Sequence, residues 1–170
     1  MSTRGIFKSA LRGWKIGALA LVIAGGIGLM SQGATAQTSV SASVDTIIHA
    51  TRTHVPLPCF AAGCAGQVGP AGSIVHDKAT IVSSDPTRTP TGIVIFALFV
   101  GNLHCKADPE SVDIAVATGG AGVTTAESSN IGPLAPGEYS YKAVYVPDAA
   151  AQALGIGGAP AKCEQLQILQ

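Results

Sequence analysis

Catalytic signatures are missing from this chain of 170 residues. It has no Gly-x-Ser-x-Gly elbow to expose a nucleophile, no Gly-x4-Gly-Lys-Ser/Thr loop to cradle phosphates and no His-Glu-x-x-His pair for zinc. Gly155-Ile156-Gly157-Gly158 lacks the spacing and the preceding strand of a dinucleotide loop. No run of Lys or Arg follows residue 15, which argues against nucleic acid or an anionic membrane surface as a partner, since both demand clustered positive charge. No internal repeat is found, no convincing long helix, and no hydrophobic tail over Gln165–Gln170. These absences point to a non-enzyme with no cofactor.

What is present begins with a tripartite N-terminus. Arg4, Lys8, Arg12 and Lys15 stand in a stretch without acids, followed by the apolar run Ile16–Met30 and then Ser31-Gln32-Gly33-Ala34-Thr35-Ala36. A basic region, an apolar core and a small-x-small site are the parts of a secretory signal peptide. Residues 1–36 are read as that signal, with Ala34 and Ala36 before the cut and Gln37 after it. An uncleaved anchor is the competing reading, although the apolar run is shorter than the ~20 residues that span a bilayer comfortably. Removing four bases from ten leaves six Lys and Arg against ten Asp and Glu, a mature net charge of about −4. The expected location is secreted, cell-surface or periplasmic, with no membrane contact after cleavage.

All four cysteines, Cys59, Cys64, Cys105 and Cys163, fall in the mature part, and an even number in an exported chain reads first as two disulfides. Four cysteines allow three pairings, and the residues alone do not choose among them. Cys59–Cys64 with Cys105–Cys163 is preferred because the first two enclose a Phe-Ala-Ala-Gly turn too short to reach far. Loop-closure entropy gives the long bridge about 4 kcal/mol and the short one about 2 kcal/mol. The competing reading is metal, since His49, His54, Cys59 and Cys64 are each five residues apart. No metal ligand is assigned from the sequence. His76, beside Asp77, reads as a surface or edge residue, and neither His76 nor His104 shows carboxylates in a ligand pattern. Asp108, Glu110 and Asp113 lack the further oxygens that a calcium site needs.

Along the mature chain, short β-branched or alternating segments recur between turn signals. Thr38–Val44, running on to Ile48, is a lead-in or first edge strand, and Pro56–Gly72 is loop material. Ser73–Ser83 reads as a strand, and Gly92–Val100 (GIVIFALFV) as a central strand buried on both sides. Ser111–Ala117 places Val112, Ile114 and Val116 on one face, and Gly122–Glu127 is a short strand. Tyr139–Val146 puts Tyr139, Tyr141, Ala143 and Tyr145 on one face. A helical turn is expected at 148–154, and Cys163–Leu169 closes the chain with Leu166 and Ile168 facing one way. About seven strands and no long helix indicate an all-β sandwich. Leu134, Pro136, Gly137 and Tyr139 have the form of a tyrosine corner, whose phenol bonds back to the backbone a few residues upstream.

Several of these pieces resemble bacterial immunoglobulin-like repeat domains of surface and secreted proteins. They are Gly72–Val82, Pro90–Phe96, Leu134–Tyr145 and the closing Cys163-Glu164-Gln165-Leu166, in the family's order and at similar distances. The resemblance implies an Ig-like β-sandwich over residues 72–170, preceded by an N-terminal strand and Cys-containing loop segment at 37–71. It implies a structural, adhesive or protein- or glycan-binding role and no catalytic residues. A cysteine after the long apolar strand and another before the last strand also follow the family, which supports Cys105–Cys163. The chain departs from the pattern after Val146-Pro147-Asp148, where an alanine-rich segment replaces the usual turn, and in holding one copy rather than an array. A soluble periplasmic or secreted accessory protein, or a small metal-binding protein, is the alternative.

Overall fold

The computed structural model describes residues 39–60 and 66–170. These form ten strands and one short helix: β1 (Ala42–Ala50), β2 (Val55–Pro56), β3 (Gly66–Pro70), β4 (Val75–Ser83), β5 (Gly92–Val100), β6 (Ser111–Gly120), β7 (Val123–Glu127), β8 (Gly137–Pro147), α1 (Ala149–Ala153), β9 (Ala159–Pro160) and β10 (Glu164–Leu169). The fold is all-β, as the alternation predicts. Seven of the strands match the seven expected segments. The other three, β2, β3 and β9, lie in Pro- and Gly-containing stretches whose composition hides them.

The strands follow one hydrogen-bonded path, β2-β1-β4-β7-β6-β5-β8-β10-β3, with β9 added beside β8. Every neighbouring pair is antiparallel except β3 and β10, which run parallel from Gly66 beside Gln165 to Pro70 beside Leu169. β6 joins the two halves of the path. Its residues Ser111–Ala117 pair with β5, and Thr118–Gly120 pair with β7. At Gly119 the strands approach so closely that a Cβ would lie 2.5 Å from the Val123 carbonyl oxygen, so the position requires glycine.

The path curls so that its halves share a core. Val44, Ala79 and Ile81 from the β1–β4 side pack in one cluster with Val94, Phe96, Ala143 and Tyr145 from the β5–β8 side. A second cluster joins Ile48 and Val75 to Leu98, Tyr139, Tyr141, Leu166 and Ile168. The expected aromatic face of β8 is therefore the core face. Full burial of an aliphatic or aromatic side chain stabilises by about 1.5–3 kcal/mol, so these clusters hold the halves together. β1 pairs with β4 along its whole length and β3 with β10, so the segment before residue 72 packs into the same body.

Two expectations change. The segment 56–72, read as loop, contains β3. Its Gln67 is 2% exposed and sends its side chain to β1: Nε2 donates to the Ile48 and Leu57 carbonyls at 2.8 and 2.9 Å, and Oε1 accepts from the Ile48 amide at 2.8 Å. Gln67 thus ties one end of the strand path to the other. β5, read as buried on both sides, alternates over most of its length: Val94, Phe96 and Leu98 are buried, Ile93, Ile95 and Ala97 only half-buried, and of the outer side Phe99 alone is buried. That outer side is covered at its Phe99–Ser140 end, and Ile93, Ile95 and Ala97 remain partly open.

The Cys105–Cys163 disulfide is formed, with S–S 2.03 Å and Cα–Cα 5.8 Å. It anchors the loop after β5 to the start of β10, and the Cys105 amide donates to the Ser140 hydroxyl at 3.1 Å. That loop explains why Ser140 is fully buried on the outer side of β8. α1 begins at Asp148, whose carboxylate accepts from the Ala151 amide at 2.9 Å, an N-cap of ordinary form. No helix among the described residues is long and apolar enough to cross a membrane.

Candidate functional site

The residues singled out from the sequence fall into three groups. Ala34, Ala36, Gln37 and Cys64 lie outside the described residues, and the Cys59–Cys64 pairing with them. Cys105 and Cys163 are bonded to each other. Near the start of β8, the Tyr139 hydroxyl donates to the Ala135 carbonyl at 2.9 Å, four residues upstream, with Leu134 buried beside it. Of the acids considered for a cation, Asp113 is already engaged by the amides of Ile114 and Ser129, which hold its carboxyl below the usual range.

A different cluster forms on the outer side of β1 and β4. The antiparallel register sets His49 directly opposite His76, and their rings stack with centroids 5.4 Å apart. The turn after β1 brings His54 back over the same place, 5.2 Å from the His76 ring. The His49 Nδ1 donates to the His54 carbonyl at 2.9 Å, which holds that turn. Glu127 on β7 completes the group, with Oε2 3.9 Å from His76 Nε2 and Oε1 3.1 Å from Lys78 Nζ. Three of the four histidines in the chain thus converge.

His76 is not the surface residue that its sequence neighbours suggest. It is 2% exposed, and neither ring nitrogen has a hydrogen-bond partner. Burial lowers its proton affinity, Glu127 partly opposes this, and the nearby His49, His54 and Lys78 lower it further. The ring is therefore held neutral, with a lone pair available. The Lys78 contact holds the Glu127 carboxyl below the usual range, so it remains ionised. Local sequence offers only the His49–His54 spacing; His76 and Glu127 join through the β1–β4 register and the β4–β7 pairing that sets Lys78 opposite Glu127.

A second polar group lies inside the core. Asp77 on β4 is fully buried and faces Glu164 across the two halves. Burial raises the affinity of both carboxyls for a proton, and the Asp77 charge raises Glu164 further. Neither Asp77 oxygen has a hydrogen-bond partner, so binding a proton at the pair relieves both the burial and the repulsion. The Tyr141 hydroxyl is buried nearby, and its ionisation is suppressed by burial and then by Asp77.

The most exposed apolar surface is the outer side of β6, β5 and β8. Val112, Ile114 and Val116 are 57%, 60% and 67% exposed. The registers set Val116, Ile93 and Val146 in one row across the three strands, and Ile114, Ile95 and Val144 in the next. An alternating apolar face is ordinarily read as core-facing; on β6 it points outward, while Asp113, Ala115 and Ala117 point in. Compared with known proteins, the chain matches no family model and no curated protein.

Proposed function

We propose that this chain is a non-enzymatic, exported immunoglobulin-like module that works by contact with a protein partner. Strand order supports the Ig-like part. With β1, β4 and β7 taken as strands A, B and E, and β5, β8 and β10 as C, F and G, the two halves follow A-B-E and C-F-G. The Tyr139 phenol bonds upstream near the start of the strand in the F position, as a tyrosine corner does. One feature of antibody domains is replaced. Tyr141, two residues after the corner tyrosine, stands where the inter-sheet cysteine would be, and Asp77 lies near it in place of the other sulfur.

The observation that carries the contact role is the aliphatic outer face of β6, β5 and β8. Two adjoining rows of Val and Ile stand side by side on this face, and contiguous exposed aliphatic surface of this kind marks contact sites on monomers. A protein partner with an apolar surface of its own fits this face. A glycan fits poorly, because its hydroxyls would find no polar partner among Val and Ile. Strand addition at β6 is disfavoured by Asp113, an inward charge that blunts the edge.

The test places a photo-crosslinking side chain at Ile114 and, as control, at Val82, which is exposed on the other half. A discrete protein adduct from position 114 alone, lost when Val116 is also changed to Lys, is expected in the producing cells. Adducts of equal yield from both positions, or none from 114, would refute the contact face. An adduct consisting of two copies of this chain would replace the partner reading with self-association.

A further inference from the structure

We propose that His54, His76 and Glu127 form a binding site for a divalent transition-metal ion of the zinc class. One donor atom from each of the three lies within 4.8 Å of the others. Donors around a tetrahedral zinc sit about 3.4 Å apart, given metal–ligand bonds near 2.1 Å. His76 Nε2 and Glu127 Oε2 are already 3.9 Å apart. His54 and Glu127 are exposed whereas His76 is buried, and Glu127 can keep its Oε1 on Lys78 while Oε2 closes on the ion. The remaining closure is therefore within reach of side-chain rotation.

The state of His76 is the independent observation. A buried imidazole normally has a hydrogen-bond partner for at least one nitrogen, and this ring has none. An ion between His76, His54 and Glu127 would use the lone pair that the fold leaves without a partner. The surroundings are organised in the manner of a ligand's supporting shell. The His49 Nδ1–H holds the His54 carbonyl, and with it the turn, at 2.9 Å. Lys78 occupies Oε1 of Glu127 and leaves Oε2 directed at His76. His54 itself has φ +49°, a left-handed conformation in which His is enriched among non-glycine residues, and its ring lies 5.2 Å from that of His76.

Two imidazoles and one carboxylate suit zinc, copper or nickel, and fit calcium or magnesium poorly, because the hard cations prefer all-oxygen sets. Three protein donors also leave a fourth position open to water or to a donor from a bound molecule. The ligands differ from the His-x4-His-x4-Cys-x4-Cys series visible in the sequence. Only His54 is common to both.

Calorimetric titration of the full, disulfide-intact chain with Zn²⁺ tests the site. One ion per chain is expected, with Ca²⁺ and Mg²⁺ failing to compete. His54→Asn, chosen because Asn tolerates positive φ, should weaken uptake by roughly 10–100-fold or more, whereas His104→Ala, on a separate loop, should leave it unchanged. Nuclear magnetic resonance supplies a second readout: the ring signals of His54 and His76 should shift up to one equivalent of zinc, while those of His104 stay in place. Should His54→Asn not fold, Glu127→Gln takes its place with the same expected loss. Absence of stoichiometric uptake, uptake unaffected by either variant, or loss through His104→Ala would overturn the proposal.

Discussion

Replacing Gln67 by alanine should be among the most damaging single changes in this fold, although the residue sits in a Gly- and Pro-containing stretch. Its side chain makes three hydrogen bonds to β1 and to the residue after β2, all in a buried setting. On truncation the Ile48 carbonyl keeps a partner, because it also accepts from the Leu57 amide at 3.0 Å. The Ile48 amide and the Leu57 carbonyl do not. Each buried polar group left without a partner costs about 1–3 kcal/mol, so two together give about 2–6 kcal/mol, a large part of the 5–15 kcal/mol of a typical domain.

Gln67→Met separates the two contributions, since it keeps the length and packing while removing all three bonds. If hydrogen bonding dominates, Met and Ala should destabilise by similar amounts. The assay is urea unfolding with disulfides intact, followed by circular dichroism and tyrosine fluorescence, together with hydrogen exchange at the Ile48 amide. Destabilisation below about 1 kcal/mol for Gln67→Ala, with the Ile48 amide still protected, would refute the reasoning.

The Asp77–Glu164 pair predicts an inverted pH dependence. Both acids are ionised in the unfolded chain above the ordinary carboxylate range, and burial raises their folded values. Folding therefore takes up protons. The stabilisation is fully present below the ordinary carboxylate range and is lost as the pH rises through the raised values, with a slope of at most about 1.4 kcal/mol per pH unit per proton. The urea midpoint should fall between pH 5 and pH 8, and Glu164→Gln, which keeps a donor toward Asp77, should flatten that fall; equal midpoints in the parent chain would show the pair to be ordinary. Tyr139→Phe removes the bond to Ala135 and should cost about 1 kcal/mol without altering the fold; an unchanged midpoint would count against a role for that phenol.

Much of the strand pattern was legible, and the limits follow from what local sequence encodes. β5 begins and ends where the apolar run does, and the Tyr139–Tyr145 alternation correctly identifies one shared face because period two is a property of the strand itself. Which face meets the core depends on what lies across from it. Val112, Ile114 and Val116 could therefore be assigned to one side, but not to the outer one. β3 was hidden because its five residues gain their structure from β10, about a hundred positions later. The buried carboxyls and the histidine cluster went unrecognised for the same reason: Asp77 meets Glu164, and His49 meets His76, only after the long-range register is set. Gln67 carries no local sign at all, since its partners are backbone atoms of other segments.

The parallel pairing of β3 and β10 has a mechanical consequence. Once β1 has parted from β4, tension drawn between residue 39 and residue 170 reaches β3 from its amino end and β10 from its carboxyl end. Two parallel strands pulled in those opposed directions slide past one another, so their evenly spaced bonds share the load and must yield together. An antiparallel pair pulled at one end instead peels bond by bond. The pairing at the end of the strand path is thereby also a force-bearing seam, and the Gln67 side chain, bonded to Ile48 and Leu57, ties its β3 edge to β1.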